Sequence, residues 1–309
     1  MKEKTKKTIN KKSVIFDILA IICIILFCIA ISPVTMQNDT YYTVKIGETI
    51  VQNGIDGMDH FSWHENLNYE YPHWLYDVMM YFIYNMGGWT GIYISTLVFT
   101  CLLGITLYIT SKKMCKNQIV PFVLTIASIF LIKSYIAARA QLVTFILFVL
   151  EVFFIEKFIK NRKIGYAVGL LSISLLIANL HVAVWPFFFV LFLPYIAEYL
   201  VCAIVDLDLI LKLKKLAYVI KKKIFFKNAE KIKIIEEKII SIDNQREKIK
   251  QRREENRKHP YKIKIERNKN IKYLILVMLI AALLGLCTPL GKTPYTYLID
   301  TMQGNTLKI

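Results

Sequence analysis

Six apolar runs, each about as long as a helix needs to cross the hydrocarbon of a bilayer, follow one another through the first two thirds of the chain, separated by short polar turns. They are Val14–Ile31, Ile92–Ile109, Ile119–Ile136, Leu142–Ile159, Ile164–Leu180 and Val182–Ile204. A seventh, Tyr273–Cys287, is shorter and follows a strongly basic stretch. The pattern predicts an all-α polytopic membrane protein with about seven transmembrane helices.

Two stretches break the pattern. Between the first and second runs lies a polar segment, 34–91, whose end, His73–Gly88 (HWLYDVMMYFIYNMGG), is apolar on one side but carries Asp77 and a Tyr-rich face. It reads as an interfacial or re-entrant helix rather than a span. Between the sixth and seventh runs, Asp206–Lys272 places Ile232, Ile235, Ile239, Ile242 and Ile249 at alternating gaps of three and four among dense Lys and Glu. That spacing suggests a helical hairpin or short coiled coil. The expected organisation is a membrane domain over 1–204, a basic insertion over 205–271, and a last span with an outer tail over 272–309.

Charge then orients the chain. Basic residues collect on the cytoplasmic side of membrane proteins. Six Lys between Lys2 and Lys12, then Lys112-Lys113-Lys116, Lys157-Lys160-Arg162-Lys163 and the insertion, with 22 Lys/Arg against 10 Asp/Glu, all fall on one side of a seven-span arrangement with the N-terminus inside. The first run lacks a favourable cleavage site, because Ala30-Ile31-Ser32 is followed by Pro33, so it is expected to remain as an anchor. The insertion's charge suits anionic headgroups or nucleic acid, but no aromatics are interleaved with it, and a solvated helical face beside the inner leaflet is the plainer reading. No nucleic-acid partner is expected. The Lys/Ile/Asn bias suggests an AT-rich bacterial genome and therefore a bacterial cytoplasmic membrane. Of the six Cys, five sit in or beside apolar runs, with no CxxC pair, which argues against a disulfide framework or a zinc site.

The opposite, extracytoplasmic face is nearly stripped of cations. From Val34 to Tyr71 only Lys45 stands against Asp39, Glu48, Asp56, Asp59, Glu65 and Glu70, and three of the five His (His60, His64, His73) lie in the same first loop. Glu48, Asp56, Glu65 and Glu70 read as water-facing loop residues. Asp39 differs, being fixed about eight residues past the first run, and an ionisable group at the membrane boundary is a site candidate. His181 sits in the outer turn between the fifth and sixth runs, and Arg139 in that between the third and fourth. Glu151 lies in mid-run.

Several short motifs share that face: Asp39 after the first run, Gly47-Glu48-Thr49-Ile50, Asp59-His60-Phe61-Ser62, Pro72-His73-Trp74-Leu75, ARAQLVTF with Arg139 and Gln141, ANLHVAV with Asn179 and His181, and TPLGKTPYTYL with Pro289 and Gly291. In this order they resemble the bacterial membrane glycosyltransferases of the GT-C class, multi-spanning enzymes similar to dolichyl-phosphate-mannose protein mannosyltransferases. The resemblance covers nearly all of the chain except the insertion. It implies a polyprenyl-phosphate sugar as donor, an unidentified acceptor, and an inverting displacement with Asp39 as general base. Arg139, His181, Asn179, Gln141, His73, Trp74, Asp59, His60 and Lys45 are then the candidate substrate-binding residues. No cofactor is required, although Asp59 and His60 are of a type that holds a divalent ion. Tyr41, Tyr42 and Lys45 depart from the family pattern after the first-loop Asp. The resemblance also implies further spans beyond Ile309, so the expected chain is a truncated one. The competing expectations are a non-catalytic GT-C-like scaffold that binds lipid-linked saccharide and, against the scarcity of polar residues in the runs, a transporter or channel.

Overall fold

A computed structural model describes residues 11–64, 67–115, 117–205, 208–225, 229–258 and 268–302. The basic N-terminal run up to residue 10, Glu65, Lys116, the tail beyond Met302 and parts of the insertion lie outside the described residues. Among the described residues every regular element is a helix, and an isolated bridge, Met58 to Asn68, marks the first loop. The chain divides into two compact units, Met1–Leu191 with Leu276–Ile309, and Phe192–Ile275.

The first unit begins with α1 (Lys11–Ile31) and α2 (Asn38–Asn53), followed by α3 (Trp74–Met114) and α4 (Ile119–Leu131). A 3-10 turn, Lys133–Tyr135, leads to α5 (Ala140–Asn161) and α6 (Ile164–Leu180). After a second 3-10 turn, Val182–Val184, comes the short α7 (Trp185–Val190). Ala20, Ile24 and Cys28 of α1 are buried with Tyr108 of α3, Ile129 of α4 and Ile136. The Tyr108 hydroxyl donates to Asp17 Oδ1 at 2.7 Å, and Lys112 pairs with the same carboxylate.

Three stretches are long and apolar enough to cross a membrane: Ser13–Ile31, Trp74–Met114 and Val182–Val201. The shorter apolar helices are Ile119–Leu131, Ile164–Leu180 and Ile271–Leu284. α5 is long but carries Glu151, Glu156, Lys157 and Lys160. α3 is not one rod. Gly88 sits at φ 57°, ψ −151°, outside the helical region and in a conformation that L side chains rarely adopt. The break falls where the sequence separates His73–Gly88 from the second apolar run.

The polar segment after the first run is more ordered than its composition suggests. Asn38–Asn53 has no strong apolar run, yet Thr40, Thr43, Gly47 and Ile50 recur at helical spacing and are all buried. Tertiary packing on α3 rather than intrinsic propensity holds this helix.

The second unit contains α8 (Leu193–Val205), α9 (Asp208–Ile224), α10 (Ala229–Lys258) and the start of α11 (Ile271–Leu284). Lys215 meets Asp243 at 2.7 Å and Lys222 meets Glu236 at 2.6 Å, so α9 and α10 run antiparallel. Ile235 and Ile242 are buried and Ile232, Ile239 and Ile249 half-buried, as their heptad-like spacing predicts. The last described helix, α12 (Thr293–Met302), belongs to the first unit.

Candidate functional site

Asp39 lies in the first turn of α2, where a carboxylate favours the partial positive charge of the helix end. The helix is set against α3 by Gly47. A Cβ there would collide with the Asp77 carbonyl and with Tyr81 Cβ, so only glycine allows this approach. Ile46 and Ile50 anchor the same face in a cluster with Tyr71, Trp74 and Leu290. The Gly47–Ile50 motif thus fixes where Asp39 stands relative to the start of α3.

A cavity of about 370 Å³ opens beside Asp39, within the range of small-molecule sites, about 300–1,000 Å³. Its wall draws on four separate stretches: Asp39, Tyr42 and Ile46 from α2, Tyr69 and His73 before α3, Arg139 and Gln141 at the start of α5, and His181 after α6. Arg139 Nη2 donates to Asp39 Oδ2. The Nε of the same guanidinium is buried and has no hydrogen-bond partner, an orphaned donor of a kind that folded proteins usually satisfy. Arg139 is also the N-cap of α5, so the positive end of a 22-residue helix adjoins the cavity.

The two histidines of the wall face each other with ring centroids 5.8 Å apart. Behind His73, Asp77 is completely buried and its Oδ2 stands 3.2 Å from His73 Nδ1, while its Oδ1 has no hydrogen-bond partner. His181 Nδ1 lies 3.2 Å from Thr144 Oγ1, which donates to the Ala140 carbonyl at 2.9 Å. Making both bonds at once puts the proton on His181 Nδ1 and leaves Nε2 as an acceptor. Burial, and secondarily the nearby His73, pushes His181 down to about 4. At neutral pH it is an uncharged imidazole, whereas Arg139 supplies the fixed positive charge of this wall.

The remaining predicted residues lie elsewhere. Trp74 Nε1 donates to Asn179 Oδ1 at 3.2 Å, and Asn179 Nδ2 donates to the Leu175 carbonyl at 2.8 Å and the Cys287 carbonyl at 3.3 Å. These two side chains fasten α3, α6 and the chain after α11 together behind the cavity. Asp59 Oδ1 accepts from the backbone N–H groups of Phe61 and Ser62, an Asx turn that shapes the first loop. His60 bonds Asp56 Oδ2 at 2.7 Å, and the Asp56 carboxyl is held below the usual range, first by the Met58 N–H and then by His60. Lys45 pairs with Glu48 at 2.6 Å on the other side of α2, beside Tyr84 and Trp89. Among the described residues no group of three or more His, Cys, Asp or Glu is placed to hold a metal ion.

Sequence reasoning noticed Asp77 only as a reason to keep its helix out of the membrane. The signal for its pairing was present in the i, i+4 spacing to His73, which places the two on one helical face. Thr144, one turn beyond Ala140, carried no signal of its own.

Comparison with protein families, curated proteins and solved structures returned no match to this chain.

Proposed function

We propose that the protein is a multi-pass glycosyltransferase of the bacterial cytoplasmic membrane, which moves a sugar from a polyprenyl-phosphate donor to an acceptor on the extracytoplasmic side. The observation that carries the reading is the convergence of Asp39 and Arg139, a hundred positions apart, on one cavity that also holds His73, His181 and Gln141. The resemblance of these motifs to GT-C enzymes supplies the substrate class, and a seven-span arrangement with the N-terminus inside puts the cavity on the outer face.

In the proposed step the acceptor hydroxyl attacks the anomeric carbon while the bond from that carbon to the phosphate oxygen breaks. The leaving lipid phosphate departs with the bonding electrons and the configuration inverts. Asp39 takes the hydroxyl proton, a contribution of about 10²–10⁴-fold for a positioned base. Arg139 meets the phosphate. Its buried, unpartnered Nε–H and the adjoining end of α5 give an anion donors that the resting site leaves idle. Asp39 and the phosphate compete for the guanidinium, so donor binding loosens the grip on Asp39 as the acceptor arrives. His181, neutral with Nε2 as acceptor, can orient the incoming hydroxyl.

The test is sugar transfer by the purified full chain from a panel of polyprenyl-phosphate sugars, comparing the parent with Asp39→Asn and Arg139→Ala. Release of lipid phosphate should fall on the order of 100-fold in each variant. Equal release from all three would reject the assignment. Donor binding by the parent without turnover would instead favour the scaffold reading.

A further inference from the structure

α9 is amphipathic in an unusual way: it has two apolar sides. One packs on α10, where Leu211 of α9 and Ile235 and Ile242 of the partner helix are each buried, and the Lys215–Asp243 and Lys222–Glu236 pairs join the two helices. The other carries Leu209, Leu213, Leu216, Ile220 and Ile224, each between 39% and 65% exposed. At 3.6 residues per turn these five fall within an arc of roughly 80° that runs the length of the helix. Lys212 and Lys223 lie within about 40° of one edge of the arc, and Lys214 and Lys221 about 60–80° beyond the other.

A large apolar stripe in water is costly, and its occupant is indicated by three features. The first is charge: α9 holds six Lys against one Asp, whereas the longer α10 nearly balances, with ten Lys/Arg against seven Asp/Glu. The excess is concentrated on the helix that bears the stripe. The second is the arrangement, because lysines stand on both sides of the arc, where long stems can lie along apolar surface while their ammonium groups reach the headgroups. The third is connection. α9 begins seven residues after Val201, the end of a stretch long and apolar enough to cross a membrane, and seven extended residues reach at most about 25 Å. The start of α9 is therefore tethered close to a membrane surface.

We propose that α9 is an in-plane membrane helix, which sinks Leu209, Leu213, Leu216, Ile220 and Ile224 into a leaflet rich in anionic lipid and sets its flanking lysines on the headgroup phosphates. The Lys/Glu-rich α10 is then the cover on its water side. A nucleic acid would use the lysines and leave the leucines in water, which is why a lipid surface fits the combination better.

The test uses the full chain in nanodiscs, with Leu216→Trp on the stripe and Glu237→Trp on the exposed side of α10, and the parent's native Trp emission subtracted. With brominated phosphatidylglycerol present, the added emission of Leu216→Trp should fall about twofold or more and resist iodide, while that of Glu237→Trp should respond to iodide alone. Leu213→Trp repeats the measurement if the first variant misfolds. The bromine effect should weaken when brominated phosphatidylcholine replaces the brominated anionic lipid. Iodide access to the stripe in both lipids would overturn the proposal. So would shielding from iodide without quenching by bromine, since a protein or a second copy would then cover the stripe. Equal quenching in neutral and anionic lipid would overturn the role of the lysines.

Discussion

Arg139 donates to Asp39 across a hundred positions of sequence, joining the cap of α5 to the first turn of α2. Asp39 is 63% exposed, and pairs so open to water contribute only about 0–1 kcal/mol. The pair is therefore a poor device for stability. Arg139→Ala should leave the melting temperature nearly unchanged while transfer falls on the order of 100-fold, and Arg139→Lys should recover part of that loss, because an ammonium keeps the charge without the fork. Thermal melts and initial rates on the same preparations check both halves.

Gly47 lies off the cavity wall yet decides where Asp39 stands. Gly47→Ala forces a Cβ against the Asp77 backbone, which cannot retreat as a side chain could. The expected cost is about 1–3 kcal/mol. Turnover should drop by more than the loss of folded protein accounts for, since α2 moves as a unit. A melt combined with active-site titration separates the two contributions.

His181 binds its proton more weakly folded than unfolded, its folded value being about 4 against an ordinary 6.5. The unfolded chain thus takes up the proton first as pH falls. The stabilisation is complete above about pH 6.5, declines as pH drops toward 4, and amounts to about 3 kcal/mol. Melting temperature measured from pH 7.5 to 4 should show this slope, and His181→Gln should flatten it.

Much of this was legible in the chain and some was not. Three of the expected apolar runs fall in stretches long and apolar enough to cross a membrane, and the isoleucines of α10 at the expected spacing are buried or half-buried, because burial imposes a period on the residues it selects. Asp39, His73, Arg139 and His181 stand out as polar groups at one end of the runs, the motif resemblance adds Gln141, and all five line one cavity. Trp74 and Asn179 share their motifs and belong to the framework behind it, bonded to each other. A motif records that a residue matters without recording whether it faces ligand or neighbour. α2 was illegible because Thr and Gly are weak helix formers, and its helix exists by virtue of the surface it packs against.

Asn179 accordingly behaves as a fastener. Asn179→Ala removes three hydrogen bonds and strands the Trp74 N–H, so a loss of about 1–3 kcal/mol is expected. Activity per folded molecule should hold within about threefold, in contrast to Gln141→Ala at the cavity wall. A larger fall at full folding would assign Asn179 a direct contact with substrate.

Glu151 is wholly buried in α5, with no hydrogen-bond partner for either oxygen. Such orphans cost about 1–3 kcal/mol. Glu151→Leu should raise the melting temperature by several degrees, and a fall would show that the carboxyl has a use that the resting fold does not display.

The order in which the polypeptide is made gives the tie between Asn179 and Cys287 a further meaning. All the groups that bound the pocket have been synthesised once His181 is added, but the carbonyl that secures Asn179 and the Leu290 side chain that props α2 follow more than a hundred positions later. At about 5–20 residues per second this is a wait of roughly 5–20 s. A nascent chain stalled in that interval would hold every group of the pocket wall and lack the clasp, so addition of the segment around Cys287 and Leu290 doubles as the step that sets the pocket's final form.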